Sequence, residues 1–162
     1  METNLWNALH CDSTMTELAV LAIYAEAVSY PYMKAIHASG DNMLNLGPLR
    51  CCVYDHMQKI ISDPSILIGK DTSYATATLD GDEWQNTAVV KKILELAPTL
   101  PQLQDLLVVF FEGAAETWKR FTSEFAPGGL IDEATVEERV LAWMPATNDE
   151  NEGALESFRQ LM

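Results

Sequence analysis

Three cysteines and three histidines are the residues of this chain best suited to bind a metal or attack a substrate. Two of their spacings invite a chemical reading. His10 and Cys11 are neighbours, and Cys52 and His56 stand four residues apart. An i, i+4 pair on a helix faces one way, so Cys52 and His56 can approach one zinc ion. His10 and Cys11 would complete the set if the N-terminal segment folded back. The plainer alternative makes Cys52 a core residue with His56 at its edge, because structural zinc sites usually carry tighter ligand pairs. Cys51-Cys52 lacks the Cys-x-x-Cys spacing of a dithiol redox motif. Cys11, His37, His56 and Asp55 supply the residue types of a cysteine hydrolase, but no local signature surrounds them. There is no Gly-x-Ser-x-Gly, no phosphate-cradling glycine loop and no His-Glu-x-x-His.

Two acidic clusters offer oxygen ligands. Asp80-Gly-Asp-Glu83 sits in a turn, and Asn148-Asp-Glu-Asn-Glu152 opens the last expected helix, with Glu156 one turn on. Hard divalent cations take such donors, and Asp149 and Glu152 are the candidates, yet neither cluster has the ligand spacing of a calcium loop. Acids at a helix start also cap it and complement its dipole. The expectation is no cofactor, with zinc or another divalent metal as the alternative.

Composition narrows the function classes. Ten basic against twenty-four acidic residues give a formal charge of −14. Nucleic-acid affinity is mostly phosphate neutralisation by Lys and Arg, so direct nucleic-acid binding is not expected. Attraction to an anionic membrane is disfavoured for the same reason. The first basic residue is Lys34, after the apolar run Leu18–Val28, which is the wrong order for a secretory signal. That run is also too short to span a bilayer and contains Glu26. An odd cysteine count without a secretion signal suits a reducing, intracellular setting.

The elements that would position these residues read as helices. Leu100–Ala126 is the expected central helix, with Leu103, Leu107, Phe110, Ala114, Trp118, Phe121 and Phe125 on its buried face. Leu106–Phe111 is apolar almost all round, which implies surrounding elements. Residues 1–13 read as a loose lead-in. Thr14 and Glu17 have capping-box spacing for a first helix running to about Ser29, which Pro31 ends or follows with a short second helix. A third helix runs from Gly47-Pro48 to about Ser62 with Leu49, Cys52, Val53, Met57 and Ile60 inward. Residues 63–86 are irregular or hold a short strand pair. Thr87–Ala97 and Ala134–Met144 are further amphipathic helices. A last helix at 148–162 repeats Leu155, Phe158 and Leu161, an apolar face that predicts self-association or a protein partner. The chain is expected to be one all-α, bundle-like domain of six or seven helices.

Four stretches carry a resemblance. Asn45-Leu-Gly-Pro-Leu49, Thr78-Leu-Asp-Gly-Asp-Glu-Trp84, Phe111-Glu-Gly-Ala-Ala-Glu-Thr-Trp-Lys-Arg-Phe-Thr-Ser-Glu-Phe125 and Ala142-Trp-Met-Pro-Ala-Thr-Asn-Asp-Glu-Asn-Glu-Gly-Ala-Leu155 resemble fungal reading frames of unassigned function that look derived from transposable elements. Some transposases insert an all-helical domain just before the last catalytic acid of an RNase H-like core. That resemblance implies Glu152 as the acid, in a larger metal-dependent nuclease whose two aspartates lie elsewhere. The chain alone is expected to be non-catalytic, an interaction module or a transposase-derived fragment. A small-molecule or zinc-binding bundle is the remaining alternative.

Overall fold

The computed structural model describes residues 6–7, 9–39, 42–147 and 159. In chain order its helices are α1 (Asp12–Tyr24), α2 (Tyr30–Ser39), α3 (Gly47–Ser62), α4 (Ser65–Ile68), α5 (Tyr74–Ala77), α6 (Thr87–Leu96), α7 (Leu103–Phe121) and α8 (Val136–Leu141). Among the described residues the one pairing of extended backbone is an isolated bridge between Asn42 and Pro145, so the fold is all-α as expected. Residues 63–86 hold no strand pair; the single turns α4 and α5 lie there instead.

The central helix is shorter than its apolar run and turned by about one residue. It spans the 19 residues Leu103–Phe121 and gives way to a 3-10 turn at Ser123–Phe125. Its buried positions are Leu103, Leu107, Phe111 and Ala115, a strict i, i+4 row. Phe110, Ala114 and Trp118 pack half-buried beside that row, and Phe121 is 72% exposed. Phe111, fully buried, replaces Phe110 as the anchor. An all-apolar segment carries no periodicity, so the choice between neighbouring phenylalanines falls to the partners. Tyr24 meets both rings edge-on, at 5.2 Å for Phe110 and 5.5 Å for Phe111.

Helix α3 buries Val53, Met57 and Ile60 in the core it shares with α7, and His56 beside α5, while Cys52 is exposed and Leu49 only half-buried. From α1 come Ala19, Val20 and Ile23. Of the alanines along this stretch, Ala19 and Ala27 are buried and Ala22 and Ala25 half-buried. Trp118 Nε1 donates to the Arg50 carbonyl at 3.0 Å, which ties the far end of α7 to the first turns of α3.

Pro31 does not stop the first helix. The backbone runs from α1 into α2 through a five-residue π segment, Ala25–Ser29, where the Tyr30 amide bonds back to the Ala25 carbonyl. A helical proline lacks an N–H and crowds the carbonyl four residues earlier. Here that carbonyl is Ala27, and the widened turn gives it to the Leu79 amide at 2.9 Å. The widening also lets three consecutive residues, Glu26, Ala27 and Val28, all be buried. Helix α1 itself starts at Asp12 with Cys11 as N-cap, so Thr14 lies inside the helix rather than capping it.

Candidate functional site

The sequence-derived ligands are not assembled. His10 is exposed, with its Nδ1 2.8 Å from the Trp6 carbonyl and its ring 4.2 Å from that indole. Cys11 is exposed at the start of α1, where the Thr14 backbone and hydroxyl, then Ser13, lower its thiol from the ordinary 9.0. Cys52 is exposed. His56 is buried, the reverse of the arrangement expected for this pair; its Nε2 donates to the Ala77 carbonyl at 3.0 Å. A carbonyl can only accept, so that nitrogen carries the proton. Burial lowers the His56 pKa below 6.5. Among the described residues no three His, Cys, Asp or Glu side chains gather as a metal site. The candidates Asp149 and Glu152, and the apolar face Leu155, Phe158 and Leu161, lie outside the described residues.

The acidic turn at 80–83 is already occupied by a cation of the chain. Lys34 Nζ, from α2, reaches Asp80 Oδ2 at 3.0 Å and also bonds Asp82. Asp82 and then Asp80 raise the lysine above its ordinary 10.5. Gly81 takes a positive φ of 74° in that turn, and Asp80 Oδ1 accepts the Asp82 amide. The turn therefore joins α2 to the 79–86 segment.

Two polar residues outside any motif do the positioning. Glu26 is 3% exposed, and its carboxylate accepts the Asn86 backbone amide on both oxygens at 3.1 Å and the Asn86 side-chain amide at 2.9 Å. The acid thus holds the N-terminus of α6, where the helix dipole favours negative charge. Its sequence signal is a lone acid inside the apolar run Leu18–Val28. Asn42 is buried as well. Its Nδ2 donates to the Arg139 carbonyl at 2.6 Å, and its Oδ1 accepts the Leu44 amide at 3.1 Å and the Met144 amide at 3.3 Å. The Met43 amide also donates a hydrogen bond to the Met144 carbonyl at 2.9 Å.

Asn42 therefore pins α8 and the segment after it, and that segment turns its apolar side chains outward. Val136, Val140, Leu141, Trp143 and Met144 are exposed, Leu141 at 87%. A complete capping box fixes the helix start: Thr135 Oγ1 accepts the Glu138 amide, and Glu138 Oε2 accepts the Thr135 amide at 2.8 Å. The Thr135 amide, then its hydroxyl, hold the Glu138 carboxyl below its ordinary value. Upstream, Gly128 and Gly129 fold the chain back so that Glu124 O takes the Ile131 amide at 2.9 Å. A Cβ at Gly129 would stand 2.4 Å from that same oxygen. The helix expected over 134–144 is thus limited to Val136–Leu141, with an apolar face that meets solvent.

Charge in this stretch is predominantly acidic. Between Leu130 and Thr147 lie Asp132, Glu133, Glu137 and Glu138 against the single base Arg139. Arg139 is committed locally, donating to the Ala134 carbonyl through Nε at 3.1 Å and through its terminal nitrogen at 2.8 Å. The face is apolar with acidic neighbours. No helix among the described residues is long and apolar enough to cross a membrane. No protein-family model matches the chain, and neither a curated protein nor a solved structure matches it.

Proposed function

We propose that the chain is a non-catalytic helical interaction module whose α8 face docks a basic, amphipathic protein segment. The observation that supports this most is the exposure of Val136, Val140, Leu141 and Trp143 on a segment that polar bonds hold in place. Apolar side chains fixed in water gain by covering. The four acids of this stretch, with Arg139 turned onto the Ala134 carbonyl just ahead of its helix, favour a partner that carries lysine or arginine beside its apolar stripe. A transposase-derived origin for the module rests on the motif resemblance.

Trp143 supplies the measurement. Titration with an amphipathic Leu/Lys helical peptide should shift its fluorescence, and a Leu/Glu peptide of the same pattern should not. Leu141→Ser removes apolar area without altering charge and should weaken binding by about tenfold. Equal binding of both peptides, or of wild type and the Leu141→Ser variant, would overturn the proposal.

A further inference from the structure

A pocket of about 260 Å³ opens between the first turns of α3 and the chain just after α7. Arg50 lines it, and the Arg50 Nε is buried with no hydrogen-bond acceptor among the described residues. A buried donor left unpaired is costly and rare in native structures. The side chain is also held in place. Its Cζ lies 4.3 Å from the centroid of the Phe125 ring and 5.9 Å from that of Trp118, whose indole holds the Arg50 carbonyl.

The charge of the pocket runs against that of the molecule. Arg50 and Lys119 line it together with one carboxylate, Asp55, in a chain whose formal charge is −14. The rest of the wall is largely apolar, with Phe125, Ala126 and Pro127. A planar guanidinium fixed on an aromatic ring is a carboxylate receptor, because its N–H groups match the two oxygens and the bond is charge-assisted. The volume falls below the ~300–1,000 Å³ of pockets that take drug-sized ligands, which limits the guest to a small acid.

We propose that this pocket binds a compact apolar carboxylate, a single ring or short branched chain bearing one carboxyl group. Arg50 is the anchor of the carboxylate, Lys119 adds the second cation, and Phe125 and Pro127 receive the apolar body. The site is separate from the α8 face, and its test does not depend on that reading.

Cys51 reports on occupancy. It is a free, exposed thiol that lines the pocket, whereas Cys11 and Cys52 are exposed and do not line it. Phenylacetate is the probe, and its neutral analogue phenylacetamide is the control. Saturating phenylacetate should slow alkylation of Cys51 by N-ethylmaleimide about tenfold, read residue by residue by mass spectrometry, with Cys11 and Cys52 unchanged. Arg50→Gln should abolish the protection. Lys119→Gln alters an exposed side chain, keeps the test alive if the Arg50 variant misfolds, and should weaken the protection. No slowing by phenylacetate, equal slowing by phenylacetamide, or full protection retained in Lys119→Gln would overturn the assignment.

Discussion

Phe111, Leu107 and Met57 are wholly buried where α3 meets α7, and packing dominates that contact. Further along the chain, Leu141, Val136 and Val140 are exposed, and the arm that carries them is held by Asn42, by the Thr135–Glu138 box and by the Glu124 carbonyl. The residue types are alike, but in the first region apolar area provides the stability and hydrogen bonds follow. In the second, hydrogen bonds provide the position and apolar area stays in contact with water. Each such bond nets only about 0.5–1.5 kcal/mol, whereas burying one large side chain is worth roughly 1.5–3. The arm should therefore be placed with definition yet open far more easily than the core.

The largest effect should come from the core. Phe111→Ala should cost about 3–5 kcal/mol in chemical denaturation, while Phe121→Ala, on the same helix but exposed, should stay within about 0.5. Comparable losses at the two positions would mean that the buried row of α7 is misassigned. Next comes the arm. Asn42→Ala removes the acceptor and donor that hold Met144 and Arg139, and should cost about 1–3 kcal/mol of local stability. Hydrogen exchange at residues 136–144 should quicken while α3 and α7 amides keep their protection. Uniform acceleration through the whole chain would erase the distinction between the two regions.

The smallest effect is a pH dependence confined to the core. His56 is held neutral by burial, so its folded pKa lies below 6.5. The unfolded chain then binds the extra proton more readily, and stability rises with pH between the folded and unfolded values. Its contribution is fully present above about 6.5 and declines as pH falls below it. Thermal unfolding at pH 7.5 and 5.5 should show a larger loss for wild type than for His56→Gln. An equal loss in both proteins would remove His56 as the cause.

Legibility followed the same division. The helical class and the α6 helix could be read from period and from Pro positions, whereas the end of α7 at Phe121 comes before the expected end at Ala126. The inward face of α7 could not, since Leu106–Phe111 is apolar on every side and Tyr24 meets both rings, so only the packing of the neighbouring helices buries Phe111 and leaves Phe110 half-buried. On α3, hydrophobicity assigned Cys52 to the core, but a carbonyl from α5 gives His56 a buried partner, which no local pattern encodes. Of the candidate ligands, spacing alone paired Cys52 with His56, and their opposite exposures separate them. Glu26 had a visible trace, a lone charge in an apolar run. Arg50 had none, because its setting comes from residues 68 and 75 positions away. The apolar pattern of α8 was legible, but pattern alone does not say whether a face meets a core or water.

The widened turn in the first helix has a kinetic consequence. Its tertiary hydrogen bonds join residues 27 and 79 and residues 26 and 86, separations of 52 and 60 positions. Contacts of that span form only after a long loop has closed, and loops of this kind slow folding in proportion to their share of the contacts. An uninterrupted helix would complete itself locally and leave residues 79–86 free to open on their own. The irregular turn instead makes the middle of the helix and the start of α6 one cooperative unit, in which neither part reaches its native hydrogen bonding before the other.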